Sequence, residues 1–257
     1  MEETFTNKFS GIPFYRTLVS SPLKSFRVVY RETDLFVLAE KKLEKEVLSI
    51  VKKIRSPLEA FILAHPEFKS SRVPLSYPEK VPHIVKRMLD AGEVAGVGPM
   101  AAVAGAIAEE AGRSLVKKRL SSQVVVENGG DVFLWLKQDA RVALFAGDSP
   151  FSGKLGLLIK KEFMPCGVCT SSGKIGHSLS LGKADAITVV HKDTAIADAL
   201  ATAFGNLLKT PQDFKKVIAR AEKIKGLLGV VGIIGDRLLL WGKELKILIL
   251  EQERGKL

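Results

Sequence analysis

The sequence is poor in cysteine: its 257 residues include only Cys166 and Cys169. Two thiols in one short motif exclude the disulfide framework of small secreted domains. Aromatic residues are also few, at 7%, and they do not alternate with basic residues as a base-stacking surface requires. The net charge of +11 favours anionic partners. Because the basic residues are scattered in short pairs, we do not expect nucleic acid among those partners.

Long hydrophobic runs and leader-like segments are missing as well. The longest uncharged stretch, Val94 to Ala108, is too short and too rich in glycine and alanine to span a bilayer. The first residues show no basic region followed by an apolar run, so we predict no export signal, no membrane association and a cytoplasmic location. Asparagine and glutamine are scarce, whereas lysine, arginine and glutamate are abundant, a bias associated with thermophilic proteins.

The two cysteines form a Cys-x-x-Cys motif, which is compatible with redox or sulfur chemistry, with half of a zinc site, or with two ordinary buried thiols. His177 and His191 do not complete a common zinc-module spacing. We therefore predict that Cys166 and Cys169 are reduced, lie close together and bind no structural metal.

Apolar periodicity predicts most of the secondary structure. After three predicted N-terminal strands, KKLEKEVLSIVKKIR has helical spacing, and Ser56-Pro57 with Glu59 predicts the start of a second helix. Residues 65–82, rich in proline and serine, predict a surface loop or a subdomain joint. Further helices are predicted around 82–91, after Gly98-Pro99, over 194–208 and over 211–225. Strands are predicted at PFYRTLV, SFRVVY, DLFVLAE, SSQVVVENGGDVFLWL, ARVALFAG, KLGLLIKK, ADAITVV, GVVGIIGDRLLLWG and LKILIL.

Strands and helices are thus mixed without strict βαβ alternation, which favours the α+β class. Within the predicted helix TAIADALATAFGN, Asp198 and Thr202 are four residues apart and share one face. A buried carboxylate is costly unless something pairs with it. One interpretation is a metal site. The other is an acidic group favoured by the dipole of its own helix, beside a threonine bonded to a helix carbonyl.

Three small clusters are candidates for contacts to phosphate. VAGVGPMAA places glycines before a helix whose free amides form an anion site, although Gly-Pro is also an ordinary turn. ENGGDV is equally typical of a tight β-hairpin. CTSSGKIGHSLS combines hydroxyls and glycines that either cradle phosphate or simply connect two strands.

The order of these clusters resembles the ApbE family, flavin-transferring enzymes that move FMN from FAD to a protein. The likeness covers roughly residues 95–210 and consists of a Gly-Gly-Asp turn, a Thr-Ser-Gly loop, a following histidine and an Ala-Asp-Ala-x-x-Thr helix. It implies a single ApbE-like domain over residues 1–257, of the α+β class, with mixed or antiparallel sheets packed against helices.

The resemblance also implies ligands and roles. Asp198 and Thr202 match the magnesium ligands, and His177 matches the histidine, which we assign to proton transfer. The residues that would contact the dinucleotide are Gly96, Gly98, Gly129, Gly130, Asp131, Thr170, Ser171, Ser172 and Gly173. The segment SLSLGKADA after His177 departs from the family, which has an Asp-Pro…Thr-Gly segment there. The chain looks like a compact, cytoplasmic branch found in anaerobic microbes.

The sequence is compatible with three functions. The first is an FAD-binding, magnesium-dependent enzyme of flavin transfer, with a separate acceptor protein, or of pyrophosphate cleavage. The second is a sulfur-assimilation or redox protein that uses Cys166 and Cys169. The third is a non-catalytic module that binds flavin or nucleic acid. The apolar C-terminal hairpin additionally allows pairing with a second copy of the chain.

Overall fold

An eight-stranded sheet forms the centre of the described structure, a computed structural model in which residue 16 and residues 21–77, 80–172, 184–242 and 245–250 are described. Each strand pairs antiparallel with its neighbours. In spatial order the strands are β1 (Lys24–Tyr30), β2 (Thr33–Ala39), β3 (Val124–Asn128), β4 (Asp131–Trp135), β7 (Cys166–Ser171), β8 (Ala186–His191), β9 (Leu227–Ile234) and β10 (Arg237–Trp241).

A second, three-stranded sheet covers one face of the large one. Its strands are β5 (Ala140–Leu144), β6 (Leu155–Ile159) and β11 (Lys246–Ile249), in the order β11-β6-β5. Helices cover the opposite face. Because both faces of β7 and β8 are covered, these strands consist almost entirely of buried residues rather than alternating with polar ones.

Six helices complete the layers. They are α1 (Glu44–Ala64), α2 (Pro66–Ser70), α3 (His83–Ala95), α4 (Val103–Lys117), α5 (Thr194–Leu207) and α6 (Phe214–Ala221). Short 3₁₀ helices span Pro99–Ala102, Lys161–Phe163 and Pro211–Asp213. α5 lies across β7 and β8, α4 lies across β3 and β4, and the two helices also contact each other.

Glycines at two positions let the start of α5 fit between α4 and β7. A Cβ at Gly105 of α4 would overlap the Thr194 carbonyl oxygen and would lie 2.9 Å from the Asp198 Cβ. A Cβ at Gly167 of β7 would lie 2.5 Å from the Thr194 Cα. Main chain therefore packs on main chain here, which fixes where α5 begins relative to the sheet. The Asp193 side chain caps the helix by accepting the Ile196 N–H.

The described residues confirm the α+β prediction. The hairpins at ENGGDV and around Gly235-Asp236, the C-terminal strand and the helix over 194–207 are present. Residues 66–70 of the expected loop form α2 instead. The helix after Pro211 ends at Ala221, earlier than expected. For PFYRTLV only Arg16 lies among the described residues.

The prediction of a second helix starting at Ser56 is wrong, because α1 continues through Pro57. Proline there removes one backbone hydrogen bond. The helix continues because buried side chains lie on both sides of the proline, Val51 before it and Leu58 and Phe61 after it. Burial of this apolar face outweighs the local preference to stop.

No single helix among the described residues has both the length and the apolar composition needed to cross a bilayer. α3 and α4 meet those conditions only when taken together with the short helix between them, and that pair is bent by 103°. Each of the two buries apolar residues in the core.

Candidate functional site

The Gly-Gly-Asp motif forms a two-residue hairpin turn between β3 and β4. Gly129 and Gly130 have φ values of 64° and 102°, and the flanking pair Asn128 and Asp131 closes the turn. Positive φ at both central residues is the geometry that favours glycine in such hairpins. Among the described residues, nothing lies within 4 Å of a Cβ placed at Gly129. The Asn128 Nδ2 donates to the Ala104 carbonyl oxygen at 3.1 Å and ties the turn to α4.

Asp131 lies at the start of β4 on the face that the helices cover. Phe133, two residues later, packs into the same helical layer. Asp131 is only 7% exposed, although it is ionisable. Burial, followed by the charges of Asp198 and Glu127, raises the pKa of Asp131 well above its ordinary value, while contacts from the Cys169 thiol and the Thr170 amide act in the opposite direction.

Asp198 approaches from α5. Its Oδ2 accepts the Gly105 N–H at 2.9 Å, at the start of α4. Burial raises the pKa of Asp198 to about 7, although hydrogen bonds from the Gly105 and Ala104 amides favour the charged form. Asp198 therefore does not stabilise the start of its own helix, where Asp193 is the cap, but caps the neighbouring helix. Thr202 lies one turn further along α5 and is partly exposed.

The turn, α4 and α5 thus bring two carboxylates together in one poorly solvated region. Each charge disfavours ionisation of the other, and burial disfavours both charges. A bound cation would reverse this balance, because it stabilises the charged form of both groups. Among the described residues, however, no group of three or more histidine, cysteine, aspartate and glutamate side chains forms a metal cage. A cation here would need hydroxyl, backbone, water or ligand oxygens as well.

The three hydroxyl residues of the Thr-Ser-Ser segment have different surroundings. The Thr170 hydroxyl pairs with that of Thr188 at 2.8 Å, and the Ser172 Oγ donates to the Asp185 carbonyl oxygen at 2.8 Å. Ser171 is 6% exposed, and its hydroxyl has no hydrogen-bond partner among the described residues. Ser171 is two residues after Cys169 on β7, so both face the helices and the carboxylates. A buried, unpaired hydroxyl is costly, and a ligand oxygen is the kind of group that would satisfy it.

The predicted glycines before α4 have structural explanations. Gly96 has a φ of 62° and ends α3 as its left-handed cap. A Cβ at Gly98 would overlap the Ser71 carbonyl oxygen. The neighbours of these glycines are not residues of the carboxylate region, and the first α4 amides already donate to Asp198. Gly96 and Gly98 thus have structural contacts of their own, and their contact with the dinucleotide stays a prediction.

The expectation that the two cysteines lie close together is wrong. Both are free and buried, and they lie three residues apart on β7. An odd separation on a strand directs the side chains to opposite faces. Cys166 accordingly packs under the three-stranded sheet and Cys169 under the helices. Burial raises the pKa of Cys166 to about 12 and that of Cys169 well above its ordinary value, so neither is a ready nucleophile.

Cys169 nevertheless belongs to the site. Its Sγ lies 3.5 Å from the Thr194 carbonyl oxygen and also contacts the Asp131 carboxylate. We did not predict this contact, since no strand was assigned to the cysteine motif. Asn128 was also missed, although it stands inside the quoted ENGGDV motif. Gly173 and His177 lie outside the described residues.

Comparison with known proteins is consistent with this geometry. A model of the family described as AbpE bacteria matches residues 16–231. The UPF0280 protein MJ1526 of Methanocaldococcus jannaschii is 40% identical over 84% of this chain and 90% of its own length. A UPF0280 protein of Methanocella arvoryzae is 38% identical over 87% and 91%.

Solved structures show the same fold at low identity. The apo form of Pseudomonas stutzeri flavinyl transferase ApbE is 14% identical, with a TM-score of 0.58 over 88% of this chain and 96% of that one. Flavin Transferase ApbE from Vibrio cholerae is 12% identical, with a TM-score of 0.54 over 86% and 97%. The ApbE-like architecture predicted from the order of the motifs is therefore confirmed.

Proposed function

Because the chain belongs to the AbpE bacteria family, we propose that it is a flavin transferase-like enzyme that binds FAD with Mg²⁺. The reaction is transfer of FMN from FAD to an acceptor protein, or cleavage of the FAD pyrophosphate. One observation carries the proposal: Asp131 and Asp198 lie together between the glycine turn and the start of α4, and no arginine or lysine among the described residues pairs with either.

The residues fit magnesium by the chemistry of their donors. Mg²⁺ prefers oxygen ligands and usually takes one or two carboxylates, completing its shell with water and substrate phosphate. Asp131 and Asp198 supply the carboxylates, and Thr202 on the face of Asp198 supplies a hydroxyl. When bound, the ion supplies positive charge against the diphosphate. Burial raises the pKa of both aspartates, and a bound cation would favour their charged forms.

The chain itself would hold the dinucleotide through the 129–131 turn and the 170–173 segment. Gly129 and Gly130 carry no side chains, so a ligand can approach their backbone closely. The unpaired Ser171 hydroxyl offers a hydrogen bond from the same face of the sheet. Gly96 and Gly98 have structural contacts of their own and stay proposed as further contacts of the dinucleotide. Gly173 and His177 stay proposed as a phosphate contact and a proton-transfer group.

The acceptor protein, a cytoplasmic location and a homo-oligomer belong to the proposal as expectations. The redox alternative finds no support, because the two thiols lie on opposite faces of the sheet. A non-catalytic flavin-binding module remains the competing function, and turnover distinguishes it from an enzyme.

The test is incubation with FAD and MgCl₂, with AMP release measured by chromatography. We expect magnesium-dependent release in the wild-type protein and its loss in Asp198→Asn and Asp131→Asn. Asp193→Asn is the matched control, since Asp193 is on the same helix but pairs with Arg87. FAD binding without AMP release, in the presence of candidate acceptors, would favour the non-catalytic module. Absence of FAD binding would refute the proposal.

A further inference from the structure

Arg16 is a buried cation that connects the chain before β1 with the strands at the centre of the molecule. It is 4% exposed. Its Nε donates to the Glu127 Oε2 at 2.6 Å, its Nη1 donates to the Asp34 Oδ1 at 2.9 Å, and its Nη2 donates to the Asp34 carbonyl oxygen at 2.8 Å. A guanidinium held in three directions is oriented as well as neutralised.

Glu127 connects Arg16 to the glycine turn. It lies on β3 next to Asn128, so its side chain is on the sheet face opposite to that of Asn128 and Asp131. One carboxylate oxygen binds Arg16. The other, Oε1, accepts the Gly130 N–H at 2.7 Å. Each oxygen thus has a defined partner, and the side chain cannot rotate without losing both hydrogen bonds.

The turn needs such a restraint, because two successive glycines have more backbone freedom than any other pair. In the part of the chain that the structure describes, nothing lies within 4 Å of a Cβ placed at Gly129, and one at Gly130 would approach only the Thr170 carbonyl oxygen, at 4.0 Å. The packing of these described residues therefore does little to hold the turn. The hydrogen bond to Glu127 restrains it from within.

We propose that Arg16 is a positioning residue: through Glu127 it fixes the Gly129–Gly130 turn and so presents the turn backbone and Asp131 to the nucleotide. The identity of the ligand rests on the proposed function, whereas the positioning rests on the contacts alone. Loss of this arrangement lowers affinity for FAD more than the rate of the bound complex, because Arg16 itself touches no reacting group.

Arg27 provides a matched control. Its Nε and Nη2 bind the two Asp34 carboxylate oxygens at 2.8 and 2.9 Å, so Arg16 and Arg27 share one acidic partner. Replacing Arg27 disturbs this ion pair without removing the Arg16 bond to Glu127. A general loss of stability in this part of the sheet would appear in both variants.

The experiment compares Arg16→Gln and Arg27→Gln with the wild-type protein. Amide hydrogen exchange at Gly130, followed by NMR, reports the turn directly. FAD affinity and the KM and kcat of AMP release report the site, and thermal unfolding reports stability. For Arg16→Gln we expect faster exchange at Gly130, and an FAD Kd and KM raised on the order of tenfold with a smaller change in kcat. Arg27→Gln should leave exchange and affinity close to wild type.

Unchanged Gly130 exchange in folded Arg16→Gln would overturn the inference. So would faster exchange with unaltered FAD affinity, because the turn would then not serve the nucleotide. If wild-type protein binds no FAD, the proposed function fails, and the exchange result alone still decides whether Arg16 positions the turn. Should Arg16→Gln fail to fold, Glu127→Gln, which disturbs the same connection with little change of shape, undergoes the same measurements.

Discussion

Two groups of acids lie around the contact between α4 and α5, and they differ in what neutralises them. Glu109 is on α4, whereas Asp198 is on α5 and Asp131 is on β4. Glu109 of α4 is 1% exposed, accepts the Arg113 Nε at 2.6 Å and the Thr194 N–H at 2.6 Å, and lies 2.8 Å from the Arg87 Nη2. Burial raises its pKa, but Arg87, the Thr194 amide and Arg113 together bring the pKa below the ordinary value. Asp131 and Asp198 have raised pKa values instead.

The difference gives Glu109 a structural role and distinguishes it from Asp131 and Asp198, the acids of the proposed site. Glu109 binds Arg87 of α3, Arg113 of its own helix and the Thr194 amide at the start of α5. It therefore connects the three helices. Among the described residues, the partners of Asp131 and Asp198 are a thiol and backbone amides, which do not neutralise a charge. Under the proposed function, a cation bound beside Asp131 and Asp198 would supply the positive charge that the arginines supply to Glu109.

The largest effect on stability should come from removing Glu109, the acid that two arginines neutralise. Glu109→Ala leaves Arg87 and Arg113 without their buried partner, and we expect the free energy of unfolding to fall by about 3–5 kcal/mol. Chemical denaturation measures this. Glu110→Ala is the control, because Glu110 is more exposed than Glu109 and lies 2.9 Å from the Arg87 Nη1 and 3.4 Å from the exposed His83 Nδ1. Its loss should cost about 1 kcal/mol or less. Equal losses would contradict the comparison.

The pH dependence of the two groups should have opposite signs. In the folded protein Asp198 keeps its proton up to about pH 7, whereas the unfolded chain releases it near pH 4. Without Mg²⁺, its contribution to stability is therefore full below pH 4 and is lost as the pH rises to about 7, by up to about 1.4 kcal/mol per pH unit.

Glu109, whose pKa is lowered in the folded state, contributes stability above its unfolded pKa and loses that contribution as the pH falls through acid values. The difference in unfolding free energy between wild type and Asp198→Asn, measured at pH 4.5, 6 and 8, isolates the Asp198 contribution. A difference that does not change with pH would show that this carboxyl is not perturbed.

Magnesium should stabilise only the unneutralised pair. At ten times its Kd the ion should add about 1.4 kcal/mol to the free energy of unfolding, observed at pH 8 as a higher melting temperature. Asp198→Asn should abolish the response, and Asp193→Asn should retain it, since Asp193 binds Arg87 at 2.7 Å. Stabilisation of Asp198→Asn equal to that of wild type would place the metal elsewhere.

The smallest effect concerns the unpaired hydroxyl beside the acids. Ser171→Ala removes a hydroxyl that has no partner, so stability should change by no more than about 0.5 kcal/mol, while FAD affinity falls about fivefold through one lost hydrogen bond. Ser172→Ala is the converse control. It removes the bond to the Asp185 carbonyl and should lower stability by about 1 kcal/mol. A fall in stability for Ser171→Ala like that of Ser172→Ala would indicate a structural hydroxyl.

Local sequence was sufficient where local physics decides the outcome. The Asn-Gly-Gly-Asp hairpin and the helix bearing Asp198 follow from turn chemistry and periodicity. Pro57 was misinterpreted because its signal is local, whereas the packing of Leu58 and Phe61 that keeps α1 continuous is tertiary. The cysteines were misplaced because their relation depends on a strand that is covered on both faces and so shows no alternation.

Sequence reasoning named residues of the candidate site but not the contacts between them. Asp198 was recognised as a charge in need of a partner, but its partner is the start of α4, ninety-three positions away in the chain. Gly98 was interpreted as a phosphate contact, and sequence alone did not show that it also packs against Ser71. Arg16 and Glu127 gave only the signal of charge next to apolar strands, and their contact joins residues 111 positions apart.

The contact of Gly105 and Gly167 with Thr194 has a consequence for temperature. Interfaces between side chains loosen on warming as rotamers exchange, but a joint of backbone against backbone has no rotamers to exchange. The distances from the start of α5 to α4 and to β7 should therefore increase little as the temperature rises. Asp198 is held four residues from that joint, so the two carboxylates are unable to reduce their repulsion by drifting apart. Under the proposed function, we therefore expect the affinity of the site for a cation to change little as the temperature rises.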